Sequence, residues 1–163
     1  MSPRDERIQR LQKTALFGAT AEETVAFVLE RAPEVRVSAG EWFFREDERG
    51  TAIYWLEEGQ VAIHKRRAGH EVALRRLEVG DCFGEVALFD FGPRSASVRA
   101  VEDCLALEIS SALLREVAER DLEQFTLLTM NLGRELARRL RAVEEHLFEV
   151  TRAWARDEPT PLT

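Results

Sequence analysis

Scarcity narrows the field first. The two cysteines, Cys82 and Cys104, are too few and too far apart in sequence for a metal cluster, so they are expected to be free, buried thiols. No signal-peptide pattern opens the chain, which is therefore expected to be cytoplasmic. No apolar run approaches the ~18 residues that a spanning helix needs, so no membrane crossing is expected. Positive charge is short as well: 23 Lys and Arg against 30 Asp and Glu leave a formal charge of −7. Basic residues dominate affinity for nucleic acid, so direct DNA binding by the whole chain is not expected, a balance that still permits one local positive site for a small anion. Histidine is rare too. His64 and His70 flank a hairpin tip and His146 falls on a C-terminal helix, so no H-x-H or spaced His/Glu set forms, and metal-dependent barrel chemistry is set aside. Pairing Glu85 with Asp81 or Asp90 for phosphodiester hydrolysis fails on the same ground, because that reaction normally recruits metal ions. No catalytic residue is assigned.

What is present suits one domain of 163 residues, long enough to bury about 70% of its unfolded surface. Residues 4–16 place Ile8, Leu11, Ala15 and Leu16 on one helical face, and Thr20 with Glu23 reads as a capping box before a second helix carrying Val25, Val28 and Leu29. From Val35 to Ile109 the pattern changes to short apolar runs broken by glycines. Strands are expected at 35–37, 41–44, 52–57, 60–65, 71–77, 95–101 and 104–109, with Glu58-Gly59 turning a hairpin and Gly69 at a polar tip. The fold class is mainly β with flanking helices: a jelly-roll, double-stranded β-helix barrel preceded by N-terminal helices and followed by a long C-terminal helix. Ser110 and Ser111 cap a short helix, and the long helix runs from about Asp121 to Trp154. The last residues, 156–163, read as a disordered tail.

Two stretches carry chemistry. On the long helix, Leu136, Leu140, Val143, Leu147, Val150 and Trp154 are spaced 4, 3, 4, 3, 4, a narrow seam that suits a partner helix more than the barrel of its own subunit. Arg134, Arg138, Arg139 and Arg141 nearby read as the solvated flank of that seam, opposite Glu135, Glu144 and Glu145. The other stretch is Phe83–Val98, F-G-E-V-A-L-F-D-F-G-P-R-S-A-S-V. Gly84 permits close backbone approach, and one helical turn after it leaves N–H groups free for negative charge. Arg94 offers a planar fork to phosphate oxygens, Ser95 and Ser97 offer hydroxyls, and the acceptor-only Glu85 suits a sugar hydroxyl.

This stretch resembles the phosphate-binding cassette of cyclic nucleotide-binding domains, the sensor modules of catabolite activators and kinase regulatory subunits. The likeness extends to Val79-Gly80-Asp81 and to Gly40, Phe44, Glu46, Gly50, Tyr54 and Gly59, while Asp47 stands where glycine is usual. The resemblance implies a ligand, cAMP or cGMP, and no cofactor or metal. It implies that Gly84 and Ala87 offer backbone N–H groups, that Glu85 holds the ribose 2′-hydroxyl, and that Arg94 pairs with the cyclic phosphate. Ser95 would bond a phosphate oxygen, with the purine as a second candidate. The full candidate set is Phe83, Gly84, Glu85, Val86, Ala87, Arg94, Ser95, Ala96 and Ser97. In catabolite activators a Thr-Ser pair on the long helix meets the base; Val143 and Glu144 stand there in this chain, so the purine stays open. Tyr54, Phe148 and Trp154 could stack on a base, but aromatics at such spacing are more often core.

The same resemblance makes residues 1–155 one sensor domain, with helices over 1–34, the barrel over 35–109 with its cassette at 83–98, and lid and dimerisation helices over 110–155. It implies a homodimer through 132–154. Neither a helix-turn-helix segment nor a second cassette is found, so a lone sensor domain is expected, acting through an unidentified effector protein. The alternative is an interaction module of the same fold that takes another small molecule or none.

Overall fold

The computed structural model describes residues 2–157. In chain order the elements are α1 (Pro3–Gln12), α2 (Glu22–Arg31), β1 (Glu34–Val37), β2 (Trp42–Phe44), β3 (Ala52–Glu58), β4 (Val61–Arg67), β5 (His70–Leu77), β6 (Cys82–Phe83), α3 (Val86–Asp90), β7 (Ser97–Ala100), β8 (Cys104–Ser110), α4 (Ser111–Arg120) and α5 (Leu122–Asp157). The strands make two four-stranded antiparallel sheets, ordered β1-β8-β3-β6 and β2-β7-β4-β5. This is the expected jelly-roll barrel with helices at both ends of the chain.

Strand periodicity explains how one sheet serves two cores. Side chains alternate across β3 and β8, so Ile53, Trp55, Leu107 and Ile109 face the helices, packing with Leu11, Phe17, Val28, Leu113 and Leu128. Leu56, Cys104 and Ala106 face the other sheet, where Val61, Ile63, Phe83 and Val98 complete the barrel interior. Both faces are covered, which is why these strands read as nearly continuous apolar runs. Phe17 is fully buried, edge-on to Trp55 with ring centroids 6.4 Å apart. Its truncation to alanine would cost about 3–5 kcal/mol.

Local chemistry moved several expected boundaries. Helix α1 starts on a reciprocal cap between Ser2 and Asp5 and stops at Gln12, short of the expected residue 16. Thr20 does not cap α2. Its hydroxyl donates to the Phe17 carbonyl at 2.7 Å, and the cap position falls on Ala21, whose N–H donates to Gln124 Oε1 of α5 at 2.6 Å. The Glu58-Gly59 hairpin is also overturned, because β3 pairs with β8 and β6 whereas β4 pairs with β7 and β5. That connection passes the chain from one sheet to the other. A tip does form at Ala68-Gly69, where φ values of 49° and 79° join β4 to β5. The two-residue β6 was not expected, and β7 begins at Ser97 instead of residue 95.

Ser110 caps α4, its hydroxyl accepting the Leu113 N–H at 3.1 Å. Helix α5 is anchored at its near end by Asn131, whose amide donates to the Leu16 and Gly18 carbonyls, both at 2.9 Å. From Leu140 to Trp154 every residue is exposed. From Leu140 outward the seam therefore does not cover the barrel of its own chain. The helix runs to Asp157, past the expected start of the tail at 156, and residues 158–163 lie outside those described.

Candidate functional site

The cassette is built on a strand end and one short helix. Phe83, paired with Tyr54 across β6 and β3, stacks on the Tyr54 ring at 5.4 Å within an aromatic cluster that includes Phe43 and Phe44. Tyr54 is thereby committed to the barrel, and its hydroxyl contacts Glu108 Oε2 at 3.3 Å. Gly84 follows with φ +83°, and a side chain there would lie 2.7 Å from Arg94 Nη1, so glycine is required for the turn and for the close approach. Glu85 occupies the N-cap of α3 in helical conformation without using its side chain as a cap, which leaves the carboxylate free for other partners.

Arg94 is pulled inward rather than solvated, with 4% exposure. Its Nη1 donates to the Ala52 carbonyl at 2.8 Å and the Gly84 carbonyl at 2.9 Å, and its guanidinium lies 4.0 Å from the Phe44 ring centroid. Gly50 presses on the same group, since any side chain there would meet Nε at 2.4 Å. Nε is buried without a hydrogen-bond partner, and burial lowers the Arg94 pKa. The backbone of Arg94 is clamped as well, donating to Glu48 O at 2.8 Å and accepting from Asp47 N at 2.9 Å. Asp47 adopts φ 70°, the left-handed conformation that the usual glycine would take and that Asp tolerates. The departure from glycine thus leaves the turn intact.

Phe83, Gly84, Glu85, Val86, Ala87, Arg94, Ser95 and Ala96 converge on one cavity of about 50 Å³. Ser97 does not. It is buried on the far side, where its hydroxyl accepts the Glu46 N–H at 2.7 Å and holds the preceding loop. The remaining wall comes from Phe44, Ile63, Arg75, Val98 and Arg139, none of them in the candidate site set. Arg139 is the most consequential of these. It was expected on a solvated flank, yet its side chain is 12% exposed and paired with Glu85, with a second contact to Glu135 at 3.3 Å and a bond from Nη2 to the Cys82 carbonyl at 2.6 Å. A sequence signal did exist: Leu128, Leu132, Glu135 and Arg139 continue the buried stripe of α5 at spacings of 4, 3 and 4. Arg138 and Arg141 do lie in solvent.

Cys82 and Cys104 are both free and buried. Burial, and secondarily the Glu85 charge, push the Cys82 thiol pKa well above its ordinary value. Among the described residues no group of three His, Cys, Asp or Glu side chains could hold a metal ion, and no helix is long and apolar enough to cross a membrane.

The family model of the cyclic nucleotide-binding domain matches residues 34–121. The chain belongs to that family. It is 34% identical over 138 residues to the cyclic AMP receptor protein of Thermus thermophilus, covering 84% of this chain and 62% of that protein. The solved catabolite activator protein of Thermus thermophilus superposes with a TM-score of 0.74 at 32% identity, over 85% of this chain and 63% of that one. The regulatory domain of Toxoplasma gondii PKA, solved with cAMP, matches with a TM-score of 0.64 at 25% identity, over 70% of this chain and 44% of that one. This cyclic nucleotide-binding domain therefore spans about three-fifths of the length of the curated relative named above. Its barrel, cassette and helices have counterparts among regulatory proteins.

Proposed function

We propose that this chain is a non-catalytic cyclic nucleotide sensor, which takes cAMP or cGMP into the cavity beside the cassette. The observation that carries the reading is the burial of Glu85 and Arg94 against one cavity, an acceptor and a fork donor placed for the two polar ends of a cyclic sugar-phosphate. Glu85 would accept the ribose 2′-hydroxyl, Arg94 and Ser95 would hold the phosphate, and Gly84 and Ala87 would offer N–H groups. Phe83, Val86 and Ala96 would close the apolar walls. Ser97 supports the Arg45–Glu48 loop instead of touching ligand. Relatives named for cyclic AMP, and a regulatory domain solved with it, support the same ligand class.

Arg139 lines the cavity wall while paired to Glu85, so on this reading a nucleotide ribose that takes the Glu85 carboxylate would draw Arg139 away from it. Arg139 rides on α5, and the same step would therefore move the long helix. A ligand shifts that equilibrium only by its preference for one helix position. The seam of α5, exposed from Leu140 to Trp154, would pair two copies as a homodimer through 132–154, and an effector protein in the cytoplasm would read the helix position without direct contact to DNA. On this reading residues 1–155 act as one sensor domain.

Titration calorimetry with cAMP and cGMP tests the reading. Saturable heat with either supports it, and none with both removes it. One observation favours a second reading, an interaction module of the same fold with another ligand or none: Arg94 Nη1 is already satisfied by the Ala52 and Gly84 carbonyls. A protein that binds neither nucleotide yet copurifies with one stable partner would fit that case.

A further inference from the structure

Resting on the cyclic nucleotide reading, we propose that Glu46 is a positioning residue for the phosphate end of the site. It ties the loop that holds Arg94 to the β4–β5 hairpin, so that the hairpin sets how firmly the phosphate is bound. Arg94 lies ahead of β7, which begins at Ser97, in a stretch without helix or strand. Among the described residues both backbone hydrogen bonds of Arg94 go to one loop, residues 45–51 between β2 and β3. Its N–H donates to Glu48 O at 2.8 Å, and its carbonyl accepts from Asp47 N at 2.9 Å. Gly50 of the same loop closes on the guanidinium, where a Cβ would lie 2.4 Å from Nε. The fork of Arg94 therefore goes where that loop goes.

The loop is in turn fastened by Glu46. Its N–H donates to the Ser97 hydroxyl of β7 at 2.7 Å, and its carboxylate accepts from Lys65 Nζ at 2.7 Å and from the Arg66 N–H at 2.9 Å, both on β4. Arg67 Nη1 stands 3.8 Å from the same carboxylate. The neighbouring Arg45 reaches the other strand of the hairpin and pairs with Glu71 of β5. The Glu46 side chain is 14% exposed, and Lys65 first, then the Arg66 N–H, hold its carboxyl below the ordinary carboxylate range, so it is charged at neutral pH. One residue thus joins β4 to β7 immediately before the Asp47–Glu48 clamp on Arg94. None of Arg45, Glu46, Lys65, Arg66 or Glu71 lines the cavity, so Glu46 acts on a ligand through Arg94 and not by touching it. A fork that has to meet phosphate oxygens to within about 0.5 Å depends on such support.

The test is titration calorimetry with cAMP and with cGMP on the full chain and on Glu46→Ala and Glu46→Gln, each also built on Arg94→Lys. Glu46→Ala should weaken whichever nucleotide binds on the order of tenfold, the scale of a lost contact to a charged group. Glu46→Gln should keep most of the affinity, because its amide oxygen still accepts the Arg66 N–H. In the Arg94→Lys background the same substitutions should change affinity little, since the fork they position is gone. Hydrogen exchange without nucleotide gives a second reading: the Arg94 and Asp47 amides should exchange faster in Glu46→Ala than in the unaltered chain, with those of β8 unchanged. Unaltered affinity in Glu46→Ala, or an equal loss with and without Arg94→Lys, overturns the positioning role and leaves the cyclic nucleotide reading standing. Failure of both nucleotides to bind the unaltered chain removes that reading, and this one with it.

Discussion

Arg139 of α5 and Glu85 of the cassette form an ion pair that solvent barely reaches, their side chains 12% and 4% exposed. The pair joins the N-cap of α3 to a helix that is in solvent from Leu140 to Trp154. Whatever displaces one member acts on the other element.

Breaking this pair from one side strands a buried charge. Arg139→Met should destabilise the fold by on the order of 3 kcal/mol, measured by urea unfolding, because Glu85 keeps its desolvation without its cation. Glu85→Gln should recover part of that loss in the double variant. The coupling between the two sites should lie in the range of about 0.5–3 kcal/mol. Strictly additive losses would mean that the two side chains do not act on each other.

Arg94→Lys should weaken nucleotide binding by about 1.5–3 kcal/mol, the range for a hydrogen bond to a charged group, since an ammonium lacks the planar fork. It should also lower the unfolding midpoint, because Nη1 ties the Ala52 and Gly84 carbonyls together and the guanidinium covers Phe44. Calorimetry and a thermal melt separate the effects. A lowered melting temperature with unchanged affinity would make Arg94 a scaffold for the turn alone.

The exposed seam gives an independent test. Leu140, Val143, Leu147 and Trp154 are 58%, 59%, 62% and 75% exposed, an apolar stripe that nothing among the described residues covers. Leu140→Glu combined with Leu147→Glu should turn a dimer into monomers by light scattering. The barrel should melt unchanged, since neither side chain touches it. A dimer that persists would place the interface on another face.

How far the sequence carried depended on whether a residue's partners were local. The cassette was legible because Gly84, Glu85 and Arg94 lie within one short motif and its turn demands are local. The barrel class was legible from alternation in β3 and β8. Sheet membership was not: Glu58-Gly59 has hairpin chemistry, but β3 already has β8 and β6 as neighbours, so the turn changes sheets. Thr20 was read as a cap because the competing acceptor, Phe17 O, becomes available only once the loop after α1 folds. Arg139 was read with the wrong face of α5. Its stripe, Leu128–Leu132–Glu135–Arg139, sits one residue from the seam at Leu136 and Leu140, and only the barrel shows which of the two neighbouring stripes turns inward.

The alkaline limb of stability should report the barrel wall behind the site. Burial first, and the Glu85 charge second, hold the Cys82 thiol pKa far above its ordinary 9.0. Tyr54 is raised above 10.0 in the same sense, by burial and then by Glu108. An unfolded chain releases these protons near the ordinary values while the folded chain keeps them, so above pH 9.0 the unfolded state binds fewer protons and stability falls as pH rises. Below that pH the two states hold the same protons and these groups contribute no slope. Urea unfolding from pH 7 to 10.5 should therefore show a flat region, then a decline approaching ~1.4 kcal/mol per pH unit for each such group. Cys82→Ala should shallow the first part of the decline, leaving the later part that belongs to Tyr54. An unchanged slope in that variant would place the proton release elsewhere, with Cys104, whose thiol pKa burial also raises, as the next group to replace.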